Sequence, residues 1–128
     1  MARIRDVVVD CRHPASLARF WAAVLDGHDV APYDEEELER LRGIGVHDPE
    51  DDPNVLVEKP GTYPRYFFVL VPEPKTVKNR VHLDLDADDP AAETARLVGL
   101  GATVVAVYDD NTVLADPEGN EFCLMHLP

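Results

Sequence analysis

The residues best suited to chemistry lie in one short alternating segment in the second half of the chain. His82, Asp84 and Asp86 are spaced two positions apart, and side chains with that spacing share one face of a β-strand. An imidazole beside carboxylates can act as a general acid or base, and it can bind a divalent metal ion. The segment therefore predicts a reactive or metal-binding face, with Asp84 as a candidate general base.

Two further predicted strands have acidic residues on one face and apolar residues on the other. The acidic face of the first strand carries Asp6, and that of the last strand carries Glu121 and Cys123. The apolar faces must pack against helices, which leaves the acidic faces open to a cleft. The expected polar lining of this cleft is Asp6, Asp10, His82, Asp84, Asp86 and Glu121, and the expected apolar wall is Phe67, Val69, Val71 and Met125. The alternative is that these carboxylates are solvated or paired with arginine.

The elements that position these residues form an internal repeat. A strand, a proline and an Ala/Leu-rich helix begin at Asp6 and again at His82, an offset of 76 residues. Such a repeat predicts an α+β fold of two βαβββ modules whose mixed sheets face each other around a cleft. We expect a single domain over residues 1–128, with module one at about 3–72 and module two at about 80–127.

Hydrophobic periodicity and turn residues predict the individual elements. The predicted helices cover 14–25, 34–42 and 90–99. The predicted strands cover 3–11, 28–33, 54–59, 65–71, 80–87, 102–108, 111–115 and 120–126. A polar loop with two prolines is expected at 48–53, and Asp116-Pro-Glu-Gly-Asn120 is typical of a tight hairpin turn.

Composition and charge narrow the class of partner. The chain has 25 acidic against 12 basic residues, a formal net charge of −13, and nucleic acids or anionic membranes bind basic surfaces instead. The longest apolar run, 66–71, is far shorter than a membrane span. We therefore expect a cytoplasmic protein that binds a small molecule, with no nucleic-acid or membrane partner.

Four segments carry a resemblance to a known family. They are the Pro14 helix with Phe20-Trp21, the strand Asn79-Arg-Val-His-Leu-Asp-Leu85, Leu100-Gly101-Ala102, and Asp116-Pro-Glu-Gly-Asn-Glu-Phe122. Together they resemble the vicinal oxygen chelate superfamily of glyoxalases, bleomycin resistance proteins and extradiol dioxygenases, in its glyoxalase-like branch. The resemblance spans essentially the whole chain, and it implies a homodimer.

The resemblance also implies four metal-ligand positions, two in each module. They fall here on Asp6, Val69, His82 and Cys123, of which only His82 has the usual residue type. Valine offers no donor atom, Asp6 replaces a common histidine, and Cys123 replaces a common glutamate. The expected metal site is therefore degenerate.

Three hypotheses of function follow. The first is a glyoxalase-like protein that binds a small, cationic and planar molecule in the cleft, through Asp6, Phe67, Val69, His82, Cys123 and Met125. The second is a lyase, isomerase or dioxygenase whose divalent Zn, Mn, Fe or Ni ion is held by His82, Asp6 and Glu121, with Asp84 and Glu121 as catalytic residues. The third is a non-catalytic dimeric interaction domain. The replacement of usual metal ligands by Val69 and Cys123 favours the first hypothesis, in which the metal site is degenerate and the protein binds its ligand with or without a divalent metal ion.

Overall fold

The fold, seen in a computed structural model that describes residues 1–126, divides into two compact units. These units are Met1–Pro74 and Lys75–Pro128. Each unit contains a strand, a helix and three further strands in which the first strand pairs with the last. The predicted end of module two, residue 127, lies outside the described residues.

The first unit contains four strands, two helices and a short 3₁₀ helix at Pro49–Asp51. Its elements in chain order are β1 (Asp6–Cys11), α1 (Pro14–Val24), β2 (Asp29–Val30), α2 (Glu35–Gly43), β3 (Asn54–Glu58) and β4 (Arg65–Leu70). The sheet order is β1-β4-β3-β2. Strands β1 and β4 are parallel, whereas the other neighbours are antiparallel.

Helix α1 covers one face of this sheet because its apolar residues recur every three to four positions. Leu17, Phe20 and Trp21 of α1 are buried, and α1 contacts β3 and β4, whose Val57 and Phe68 are buried as well. Side chains alternate between the two faces along β1 and β4. Every second residue, including Asp6 of β1 and Phe67 of β4, therefore lies on the opposite face of the sheet. We call this second surface the open face of unit one.

The second unit repeats the arrangement with shorter connections. Its elements are β5 (Asp84–Leu85), α3 (Pro90–Leu100), β6 (Thr103–Val107), β7 (Asn111–Ala115) and β8 (Glu121–Met125). The sheet order is β5-β8-β7-β6, and β5 runs parallel to β8. Leu97 of α3 and the sheet residues Leu114, Phe122 and Leu124 are fully buried. Glu121, Cys123 and Met125 alternate with the buried positions of β8 and therefore share the other face, the open face of unit two.

The predicted α+β class with two βαβββ modules is confirmed, and most predicted elements agree to within one or two residues. The largest difference is the strand predicted over 80–87, which forms only at Asp84–Leu85. Ahead of this segment, the side chains of Lys75 and Asn79 both contact Glu121 of β8. Backbone pairing begins only where the Cys123 amide donates to the Leu83 carbonyl oxygen at 2.9 Å.

The loop predicted over 48–53 contains a 3₁₀ turn, because the Asp48 side chain accepts a hydrogen bond from the Glu50 amide. No helix within residues 1–126 is both long enough and apolar enough to cross a membrane.

The turn between β7 and β8 is held by one buried carboxylate. Asp116 is 3% exposed, and its Oδ1 accepts hydrogen bonds from the amides of Glu118 at 2.9 Å and Asn120 at 3.0 Å. Its Oδ2 accepts from the Asn120 side-chain amide at 2.9 Å. Gly119 adopts a φ of +89°, which suits glycine best. The carboxylate thus fixes the chain reversal that leads into β8.

We expect Asp116→Ala to lower the free energy of unfolding by roughly 1.5–3 kcal/mol, because it leaves partly buried donors without a charged acceptor. Urea denaturation followed by circular dichroism would measure this loss. The exposed Asp109 provides a control, since Asp109→Ala should change the midpoint little. Equal midpoints for the two variants would contradict the role given to Asp116.

Candidate functional site

Asp6, a predicted metal ligand, is paired with arginine. It lies opposite Arg65 in the β1–β4 register, and Arg65 donates from Nε at 2.8 Å and from Nη2 at 3.3 Å to the two carboxylate oxygens. Arg5 Nε adds a contact at 3.6 Å. Such a bidentate pair already satisfies the carboxylate with positive charge, which reduces its tendency to bind a metal ion.

The predicted apolar residues of the first unit lie on its open face. Phe67 and Val69 are both half-buried, and Phe67 lies between Val8 of β1 and Leu56 of β3 in the register. The Arg65 guanidinium carbon lies 5.3 Å from the centroid of the Phe67 ring, a distance at which a cation is attracted to an aromatic face. This face therefore combines an aromatic surface with a neutralised ion pair.

Glu121, predicted both as a ligand and as a catalytic residue, is surrounded by donors. Lys75 Nζ lies 3.1 Å and Lys78 Nζ 3.8 Å from its carboxylate oxygens, and the Asn79 amide donates at 3.4 Å. Burial works to raise the pKa of Glu121, but the hydrogen bonds from backbone amides and Lys75 outweigh it, and the pKa is lowered. A carboxylate held ionised in this way is a weaker general base.

His82, Asp84 and Cys123 come together on the open face of the second unit. The parallel register places Asp84 beside Cys123, and His82 Nε2 lies 3.1 Å from Asp84 Oδ1. One donor atom from each of the three residues lies within 4.8 Å of the other two. We call this group the His-Asp-Cys cluster. It offers one nitrogen, one oxygen and one sulfur donor, a set that zinc accepts.

The environment of Cys123 disfavours a thiolate when no cation is bound. Burial raises the pKa of the Cys123 thiol, and the negative charge of Asp84 raises it further, whereas Lys78 acts in the opposite direction. His82 and Asp84 are about half exposed, with 48% and 55% of their side-chain surface accessible. Their side chains can therefore rotate towards a shared ion, and further coordination positions would remain open to solvent.

Met125, another predicted site residue, lies at the end of β8. It pairs with Asn111 of β7 and shares the open face of unit two with Glu121 and Cys123. Within each unit, the structure thus brings His82 and Asp84 to Cys123, Glu121 to Lys75, and Asp6 to Arg65. In unit two, one donor atom each of His82, Asp84 and Cys123 lies within 4.8 Å of the other two.

Sequence reasoning missed a cavity of about 320 Å³ in the first unit. Its lining includes Tyr33 and Asp52, and the Tyr33 hydroxyl donates to Asp52 Oδ2 at 2.7 Å. Asp52 is 2% exposed, although it lies in the segment predicted as a polar loop. The one feature of the sequence that could have indicated this cavity is Tyr33, which directly precedes the acidic start of α2. Its aromatic ring is apolar and favours burial.

Comparisons with known proteins agree with this architecture. A family model described as "Glyoxalase-like domain" matches residues 6–125. No curated protein sequence is significantly similar to the chain.

Solved structures with the same fold include three proteins of different activity. The fosfomycin resistance protein FosX from Mesorhizobium loti has a TM-score of 0.69 at 11% identity, covering 100% of this chain and 94% of its own. The trypanothione-dependent glyoxalase I of Leishmania major has a TM-score of 0.66 at 13% identity, with coverages of 98% and 86%. TnmS3, an antibiotic-binding protein from Streptomyces sp. CB03234, has a TM-score of 0.57 at 20% identity, with coverages of 98% and 95%. At such identities the likeness establishes the fold alone.

The reactivity of Cys123 should depend on its two charged neighbours. Only the thiolate reacts with iodoacetamide, so Asp84→Asn should lower the thiol pKa and speed alkylation at pH 8 by a factor of roughly two to ten, whereas Lys78→Met should slow it. Peptide mass spectrometry would separate Cys123 from the buried Cys11.

A control for this experiment is Asp88→Asn, which changes an exposed carboxylate in the loop that follows β5. It should leave the alkylation rate at its wild-type value. The same rate in all four proteins would show that Asp84 and Lys78 do not control the thiol.

Proposed function

Since this chain belongs to the glyoxalase-like domain family, we propose that it binds a small molecule at a divalent cation held by His82, Asp84 and Cys123. The observation that carries the proposal is the His-Asp-Cys cluster, in which three different donor atoms lie within 4.8 Å of one another. Ligands that share one zinc ion lie roughly 3–4 Å apart, given metal–ligand bonds of about 2.0–2.3 Å. Small rotations of the two exposed side chains would meet that requirement.

The four ligand positions implied by the superfamily fit a metal ion poorly in this chain. Val69 has no donor atom, and the carboxylate of Asp6 is bound by Arg65. The cluster instead uses Asp84, which lies outside those four positions, together with His82 and Cys123. The proposed site is therefore an altered one, confined to the second unit, and a thiolate donor favours zinc over the harder magnesium or calcium ions.

The chain's own residues suggest how a small molecule would bind there. A divalent ion would supply a Lewis-acidic position for an oxygen atom of the ligand. Glu121, Cys123 and Met125 share this face, and Lys75 and Lys78 at Glu121 could contact a second, negatively charged group. Met125 adds an apolar, adaptable surface beside them.

A catalytic function through Asp6, His82 and Glu121 has less support. Arginine and lysine already bind the two carboxylates of that set, and the lowered pKa of Glu121 opposes a role in proton abstraction. Asp84 remains the candidate base, since its carboxylate contacts the His82 imidazole. The homodimer and the cytoplasmic location stay predictions, and light scattering would measure the oligomeric state.

Metal binding tests the proposal directly. Untagged protein incubated with Zn²⁺ and desalted should retain about one equivalent by plasma mass spectrometry. His82→Ala, Asp84→Ala and Cys123→Ala should each weaken zinc binding on the order of tenfold or more, because each removes one donor. A Co²⁺-loaded sample should show a sulfur-to-cobalt charge-transfer band that Cys123→Ala abolishes.

Two control variants separate this site from nonspecific binding. His47 is exposed in the loop after α2, so His47→Ala should leave zinc affinity unchanged. Glu121→Gln distinguishes the His-Asp-Cys cluster from the alternative ligand set of Asp6, His82 and Glu121. This variant should also retain zinc. Loss of zinc in Glu121→Gln, or equal retention in wild type and His82→Ala, would contradict the proposed ligands.

Ligand binding can be tested with a catechol, which offers two neighbouring oxygen atoms to a metal ion. Calorimetry should show binding to the zinc-loaded protein and none to the metal-free protein or to zinc-treated Cys123→Ala. Equal binding with and without zinc would show that the ion plays no part in recognition.

A further inference from the structure

We infer that the first unit contains a second binding site, which takes a small organic cation with a flat apolar body. The site is the cavity of about 320 Å³ whose principal lining residues are Tyr33, Glu37, Arg40, Asp52, Leu56 and Phe67. All of them belong to the first unit, so this inference goes beyond the proposed metal site and does not depend on it. A volume near 300 Å³ lies at the lower end of the range for small-molecule pockets, about 300–1,000 Å³.

The polar wall of the cavity is built around a buried carboxylate. Asp52 accepts hydrogen bonds from the Tyr33 hydroxyl at 2.7 Å and from the Asn54 amide at 3.0 Å. Burial and the hydrogen bond to Asp52 raise the pKa of Tyr33, so its hydroxyl stays protonated and continues to donate. These neutral donors hold the carboxylate in place without cancelling its charge.

The charges around the cavity leave an excess of negative charge. Glu37 and Asp52 face a single cation, Arg40, whose Nε donates to Glu37 at 2.8 Å and whose Nη2 lies 3.9 Å from Asp52 Oδ2. The Arg40 side chain is 49% exposed, whereas that of Asp52 is 2% exposed. Solvent therefore screens the guanidinium more strongly than the buried carboxylate, and the interior of the cavity favours a positive charge.

The apolar wall suits a flat ring. Leu56 and Phe67 are neighbours across β3 and β4, and their side chains share the open face of unit one. The contact between Arg65 and the Phe67 ring shows that this aromatic side chain already accommodates one planar cation. Arg65 is itself neutralised by Asp6, so it adds little positive charge to the cavity.

The matching ligand has two parts. An ammonium, amidinium or guanidinium group would lie near Asp52 and Glu37, and an aromatic or other flat apolar body would lie on Leu56 and Phe67. An anion would be attracted by Arg40 but repelled by both carboxylates. Positive charge is thus the property that the cavity selects.

Three probes of nearly equal shape test this selection. Benzamidine is cationic, benzamide neutral and benzoate anionic. Two-dimensional ¹H–¹⁵N NMR titrations should show saturable benzamidine binding, with shifts at the amides of Tyr33, Leu56 and Phe67. Benzamide should bind roughly fivefold or more weakly, and benzoate should not saturate. Equal binding of benzamide and benzamidine, or tighter binding of benzoate, would overturn the inference.

Two substitutions in α2 distinguish a local contact of the ligand with Glu37 from the effect of the protein's overall negative charge. Glu37→Gln should weaken benzamidine binding roughly threefold, the effect expected of a partly exposed charge. Glu36→Gln makes the same change one residue earlier at an exposed position outside the lining, and it should leave binding unchanged. Equal losses in the two variants would mean that only the overall charge acts.

A third variant addresses Asp52 and the independence of the two sites. Asp52→Asn should abolish benzamidine binding, and Glu37→Gln keeps the test decisive if Asp52→Asn does not fold. His82→Ala should bind benzamidine as the wild type does, because His82 is not among the residues that line the cavity. Full benzamidine affinity in folded Asp52→Asn would contradict the inference.

Discussion

The parallel pairing of the first strand with the last strand in each unit determines what the open faces carry. In the first unit this pairing places Asp6 beside Arg65, and in the second it places Asp84 beside Cys123. The same register turns Phe68, Phe122 and the other apolar residues towards the helices. Because a shift by one residue would send each of these side chains to the other face, the core and both sites depend on this one constraint.

The two units use their carboxylates differently although they share a topology. Asp6 and Glu121, which begin β1 and β8, are bound by basic side chains and serve as structural or positioning charges. Asp84 contacts an imidazole and lies near a thiol. Asp52 is held by two neutral donors, and its nearest cation, the exposed Arg40 guanidinium, lies 3.9 Å away. A carboxylate without a strong cationic partner retains the capacity to bind a ligand's positive charge. On this difference rest our proposals of a metal ion for the second unit and an organic cation for the first.

Much of the fold could be predicted from the sequence, because periodicity reports which face of an element is buried. The alternation in Asp6–Cys11 and Glu121–Met125 identified the open faces, and the repeat identified the two modules. Register could not be predicted, since it depends on contacts between distant segments, and so the approach of Asp84 to Cys123 and of Arg65 to Asp6 emerged only from the structure. Asp52 was missed because its burial depends on Tyr33, a tertiary contact without a local signature.

The proposed metal site consists of one histidine, one aspartate and one cysteine of the second unit. X-ray absorption spectroscopy of the zinc-loaded protein tests this most directly, because sulfur and lighter donors lie at different distances from zinc. We expect one sulfur at about 2.3 Å and nitrogen or oxygen donors at about 2.0–2.2 Å, with the sulfur shell absent in Cys123→Ala. A first shell of nitrogen and oxygen alone in the wild-type protein would show that Cys123 does not bind the ion.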